Sequence, residues 1–159
     1  MYLNALEFLE EEREAWRPYE ALLDLTDEQL SVPLDGAHGW SGRDLMGHLI
    51  GWLEHTLAVA KELAVGESSP AKAQADLDWD ARGDAINDEM VAEWAKLPMA
   101  EVRRRMREVP GELRGYLTVV PESRWLKNPV HLRSIDEETR AHYEEHRDDL
   151  AAVVAAAGR

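Results

Sequence analysis

Two histidines give the first indication of chemistry. His142 and His146 stand four apart in His142-Tyr143-Glu144-Glu145-His146, within an apolar-periodic stretch that runs to near Gly158. Side chains four apart lie one above the other on a helix face, so two imidazoles can share one ion if another helix brings a third ligand. A His-x-x-x-His pair alone is weak and more often marks a half-buried face. The third ligand expected here is His48. It lies seven residues past Ser41, where Ser41-Gly42-Arg43-Asp44 carries a capping signal, and His142 lies eight past Ser134, where Ser134-Ile135-Asp136-Glu137 reads as a capping box. At 1.5 Å per residue, both stand about 10–12 Å from the start of their helices. Parallel helices in an up-down bundle would then hold His48, His142 and His146 at one depth, with His55 two turns too deep. Three neutral imidazoles leave a fourth position open for water or substrate, and with no carboxylate the ion keeps its full charge and favours an anion or thiolate. Zinc is the first expectation; nickel, iron and manganese also suit such a site.

The elements that must position these residues read as helices. Leu3, Leu6, Leu9, Trp16, Tyr19 and Leu22 recur at roughly helical spacing, with a kink or restart expected at Pro18. Thr26-Asp27-Glu28-Gln29 has the form of a capping box and predicts a short helical turn. After a loop to Trp40, helix 2 buries Leu45, Leu49, Trp52, Thr56, Val59 and Leu63 and stops at Gly66. Gly47 and Gly51 each cost about 1 kcal/mol relative to Ala, which suggests a neighbour, or a ligand, approaching closely. Gly66 to about Asp78 reads as a linker crossing over the bundle. Helix 3 carries Ile86, Met90 and Trp94, breaks at Pro98 and resumes through Val102 to Val120, with a kink expected at Pro110-Gly111. Pro121 to Arg133 reads as a loop, and helix 4 is expected to begin at Ser134. With no strand-period segment, the fold class is all-α: one four-helix bundle over residues 1–159, with a long crossover between helices 2 and 3. Trp40, Trp52, Trp125 and Arg124 are expected to line a substrate pocket, with His38 and His131 as further residues at its mouth.

Composition narrows the function. The formal charge is −14, from 18 basic and 32 acidic residues, which disfavours nucleic acid and anionic membrane surfaces as partners. No cysteine is present, so there is no thiolate metal site and no sulfur nucleophile of the chain's own. No leader-like segment or membrane span is visible, and a cytoplasmic location is expected.

The residues also resemble a family. Trp40-Ser41-Gly42-Arg43-Asp44-Leu45-Met46-Gly47-His48-Leu49 resembles the opening of helix 2 in DinB-like proteins, and His142 to His146 resembles their helix-4 pair. Leu25-Thr26-Asp27-Glu28-Gln29-Leu30 is similar to the turn before that tryptophan, and Asn87 stands where related chains often have asparagine. The likeness spans nearly the whole chain and is strongest to the branch holding the N-terminal domain of mycothiol-dependent maleylpyruvate isomerase and the ClbS/DfsB-like bundles. It implies a four-helix bundle with a divalent metal on His48, His142 and His146. It also implies thiol-dependent transfer or isomerisation, with mycothiol or bacillithiol as cosubstrate and a small electrophile as substrate, and a homodimer. The sequence has no counterpart of that isomerase's additional C-terminal domain, so maleylpyruvate isomerisation itself is not expected. The alternatives are a non-catalytic protein that binds or sequesters a small molecule, metal-dependent hydrolytic protection, and a degenerate member kept as a stable dimer.

Overall fold

The computed structural model describes all of residues 1–159, and every regular element is helical. Helix α1 (Ala5–Trp16) starts at Asn4, whose side chain accepts from Glu7 N–H. It passes into a 3-10 segment over Arg17–Asp24 with Pro18 in its first turn, the restart that proline imposes. Helix α2 (Asp27–Leu30) is one turn with the complete Thr26–Gln29 capping box. Helix α3 (Gly42–Val65) is the central element and starts at Ser41, whose side chain and that of Asp44 cap each other's backbone N–H groups. Its expected stripe is buried throughout, from Leu45 to Leu63.

The segment read as a linker is a helix. α4 (Pro70–Arg82) begins at Ser69, which accepts from Lys72 N–H, and ends at Gly83. The crossover therefore exists, but it is a wall and not a loose strap. α5 (Ala85–Ala95) follows and lies against α3. The two glycines explain that approach: a Cβ on Gly47 would sit 2.8 Å from Trp94 Cβ, and one on Gly51 would press on Met90 Sδ. Pro98 precedes α6 (Met99–Val119), which runs through Pro110 unbroken and makes the most extensive packing on α3.

Helix 4 of the sequence reading starts earlier and is broken. α7 (Pro129–Glu138) is capped by Asn128, which accepts from the N–H groups of Val130 and His131. Ser134 is interior to it, so the third capping box is corrected. α8 (Arg140–Glu145) follows after Thr139, and α9 (Arg147–Ala157) follows after His146. Phe8, Tyr19, Leu45, Leu49, Leu53, Trp125 and Tyr143 are among the large side chains of a core shared by α1, α3, α6 and α8.

Candidate metal centre and cavity

His48 comes from the second turn of α3, His142 from α8 and His146 from the junction of α8 and α9. One ring nitrogen from each lies within 4.8 Å of the others, and all three residues are buried. The Nε2 atoms of His48 and His142 are 2.9 Å apart. Tetrahedral ligands at about 2.0–2.1 Å from an ion stand about 3.4 Å from one another, so small ring rotations bring these nitrogens to bonding positions. The three residues meet as expected, but not for the expected reason. The depth comparison counted from Ser134, and the helix begins at Pro129. The rings meet because α8 and α9 pack back against the start of α3, with His146 turning at the break (φ −99°, ψ 10°), in the bridge region common at active sites.

The electrostatics suit a cation. Burial first, then the neighbouring imidazoles, lowers His142 to about 3. Burial and His146 lower His48 to about 4, against a smaller opposing pull from Asp149. Both rings are therefore neutral near pH 7, the form that binds metal. The Nδ1 atoms of His48 and His142 are buried without a partner. Between neutral rings one Nε2 can donate to the other across the 2.9 Å contact, and a divalent ion would replace that single hydrogen bond with a bond to each ring. His146 is held differently. Asp149 Oδ2 lies 2.7 Å from its Nδ1, which assigns the proton there and frees Nε2 as a ligand. The other oxygen of Asp149 meets His38 Nδ1 at 2.9 Å. His38 has φ 58°, and that contact helps hold a non-glycine residue in the left-handed region.

Trp40 covers the triad, with its ring centroid 4.7 Å from His48 and 5.8 Å from His146. The three histidines and Trp40 open onto a cavity of about 1130 Å³ whose walls include Trp52, His55 and Trp79. Trp52 Nε1 donates to Asn87 Oδ1 at 2.8 Å. Of the four expected pocket residues, Trp40 and Trp52 line this cavity and Trp125 and Arg124 do not. Trp125 is fully buried on the edge of Phe8. Arg124 turns its guanidinium to the carbonyls of Leu63 and Ala64, satisfying the end of α3. His131 is likewise taken up, with Nδ1 2.6 Å from the Arg124 carbonyl. Asp149 and Trp79 escaped the sequence reading. Asp149 was visible as His-x-x-Asp at helical spacing, and Trp79 falls between the expected linker, to about Asp78, and Ile86 of helix 3, on the part of α4 that the reading left unassigned.

Fold and site define a class: a DinB-like helical bundle with a buried histidine triad at the side of a cavity. The family model that matches the chain, over residues 11–151, is the mycothiol maleylpyruvate isomerase N-terminal domain, and the chain belongs to that family. No curated protein and no solved structure gives a match.

Proposed function

We propose that the protein is a metal-dependent enzyme that joins a low-molecular-weight thiol to a small electrophile, or rearranges the electrophile with the thiol's help. One observation carries the reading: three buried imidazoles converge on a large cavity in a chain with no cysteine. His48, His142 and His146 would hold the ion, zinc first, with nickel, iron or manganese as alternatives. What the ion supplies is Lewis acidity, which acidifies a thiol or water at its open position. The family makes mycothiol the first candidate thiol. In transfer, the thiol gives up its proton and a sulfur–carbon bond forms as the leaving group departs with its electron pair. In rearrangement, the same bond forms on an unsaturated carbon and breaks after rotation, returning the thiol. Asp149 fixes the His146 tautomer, and Trp40 shields the triad from bulk water. No helix is long and apolar enough to cross a membrane. A cytoplasmic location is proposed from the sequence reading and a homodimer from the family likeness, and sedimentation checks the dimer.

The test is elemental analysis of the purified protein, then a panel assay. Metal-loaded protein is offered electrophiles with mycothiol, bacillithiol, glutathione or no thiol. Consumption that needs a thiol and disappears in His48→Ala supports the proposal. Equal turnover without thiol reassigns the site to hydrolysis by water, and stoichiometric binding without turnover reassigns it to sequestration.

A further inference from the structure

The cavity wall has a charge of its own, opposite to that of the ion expected to favour an anion or thiolate. Asp80, Asp84, Asp88, Glu137, Glu138 and Glu145 all line it. None of these six carboxylates forms a salt bridge; Asp84 alone accepts a long hydrogen bond, from Asn87 at 3.5 Å. The lining holds two permanent cations. Lys72 is spent on Asp76 at 2.6 Å, which leaves Arg133 against five carboxylates and the partly protonated Glu138. His55 adds nothing, because burial lowers its pKa and keeps the ring neutral. Glu138 registers the resulting field: burial, then the charges of Glu137 and Glu145, pushes its carboxyl up to about 7.

The wall is built for more than solvation. Trp79 is 42 % exposed, a large apolar face left open beside these carboxylates. It meets Trp52 edge-on at 5.9 Å, and Trp52 in turn meets His55 at 5.7 Å, so the indoles form a corner. The same cavity reaches His48 and His142, which are 4 % and 7 % exposed and have unpartnered Nδ1 atoms. An aromatic corner beside unpaired carboxylates is the arrangement that holds an organic ammonium: the ring faces attract the cation and the carboxylates neutralise it. A dicarboxylate such as the maleylpyruvate of the family name would meet repulsion here.

We propose that this cavity selects a small organic cation, a protonated or quaternary amine seated in the corner formed by Trp52 and Trp79 and neutralised by the carboxylates of α4, α5 and α7. This rests on the proposed function in taking the cavity as the electrophile's site, and it narrows the substrate class to electrophiles that carry an ammonium group.

The experiment follows indole fluorescence and the indole N–H signals of the full chain, without metal or thiol. The probes are choline, its neutral carbon isostere with a tert-butyl group in place of trimethylammonium, and the tert-butylacetate anion. Choline is expected to bind at least about tenfold more tightly than the isostere, the anion not at all, and choline affinity to fall with added salt. Trp79→Ala and the triple variant Asp80→Asn, Asp84→Asn, Asp88→Asn change exposed positions, so the fold should survive, and each should erase most of the preference. Equal binding of the isostere, tighter binding of the anion, or full preference in both variants overturns the inference. His48→Ala is the control that separates it from the metal chemistry: it should retain choline selectivity while losing the ion. Failure of the thiol assay with choline selectivity intact would remove the proposed reaction and leave the cavity's ligand class standing.

Discussion

Adjacent residues of α8 serve two buried polar clusters of opposite character. Tyr143 donates to Glu12 Oε1 at 2.8 Å, Glu12 also pairs with Arg114, and the Tyr143 carbonyl accepts from Tyr19. Every charge in that cluster is matched, and burial holds the Tyr143 phenol protonated, with its pKa pushed well above the usual range. One residue earlier, His142 joins His48 and His146, where two Nδ1 atoms have no partner and the Nε2 atoms of His48 and His142 have only each other, at 2.9 Å. The two clusters are similarly buried but differ in completeness. A polar cluster that serves only the fold closes on itself, because an unsatisfied buried group costs about 1–3 kcal/mol. One left open fits the proposed role of the triad as a metal site.

The largest expected effect separates the two clusters by stability. Glu12→Ala strands Arg114 and the Tyr143 hydroxyl and should cost about 3–5 kcal/mol. His48→Ala removes an imidazole that is already badly placed in the metal-free protein, so its stability should stay within about 1 kcal/mol of wild type, lost packing offset by relief of an unpaired nitrogen. Urea unfolding of metal-free samples checks both. With metal added, the order changes: ion at about 1,000 times Kd should stabilise the wild type by about 4 kcal/mol and His48→Ala not at all. A comparable loss in both metal-free variants would mean that the triad is a structural cluster like the other.

A second contrast is in proton linkage. His48 and His142 titrate near about 4 and about 3 when folded, below the ordinary 6.5 of an unfolded chain. As pH falls through 6.5 the unfolded chain takes up protons that the folded protein refuses. Metal-free stability should therefore decline from about pH 6.5 toward about pH 4, by at most about 1.4 kcal/mol per pH unit for each histidine. The double variant His48→Ala, His142→Ala should lose that part of the slope. Bound metal should compete with the same protons, so its affinity should also weaken over this window. An unchanged slope in the double variant would remove the assignment of these rings as neutral.

What was legible in the sequence follows the same division. The His142–His146 pair, both capping boxes at Thr26 and Ser41, and a close approach to helix 2 at Gly47 and Gly51 were all readable, because each depends on local chemistry at fixed spacing. Two boundaries were missed for one reason. Ser69-Pro70 and Asn128-Pro129 lie inside the segments read as linker and loop, whereas a capping residue followed by proline is a helix start: proline at the first position loses no hydrogen bond there. The first error hid α4, with Trp79 and Asp80. The second moved the start of helix 4 to Ser134. Trp125 and Arg124 were misplaced for another reason: a loop position does not say whether a side chain faces the cavity, the core or a helix end.

Asp149 links the open cluster to the satisfied type of hydrogen bonding, and its effect should be intermediate. Asp149→Asn keeps the shape but no longer fixes the proton on His146 Nδ1. Metal affinity should fall about 10–100-fold with the fold intact, as expected of a positioning residue. Rescue by Asp149→Glu, read as recovery of metal affinity, would argue for the carboxylate itself; a loss of stability as large as that of Glu12→Ala would show that Asp149 serves the core.

The smallest effect is expected where a satisfied bond meets the cavity. Trp52 donates to Asn87 across the α3–α5 interface, with both side chains in the cavity lining. The bond resembles those of the closed cluster in being satisfied, but solvent reaches this wall and water can replace the lost acceptor. Asn87→Leu should therefore cost about 0.5–1.5 kcal/mol, the ordinary net value of one hydrogen bond, and not the penalty of a stranded buried donor. Metal affinity should not change, since the bond lies outside the three imidazoles and their Asp149 partner. The indole N–H resonance of Trp52 should move and exchange with water faster, which reports the replacement directly. A cost near that of Glu12→Ala would instead mean that this wall is dry. The cavity would then be more enclosed than its carboxylate rim implies, and the division between a closed cluster and an open one would have to be redrawn at Trp52.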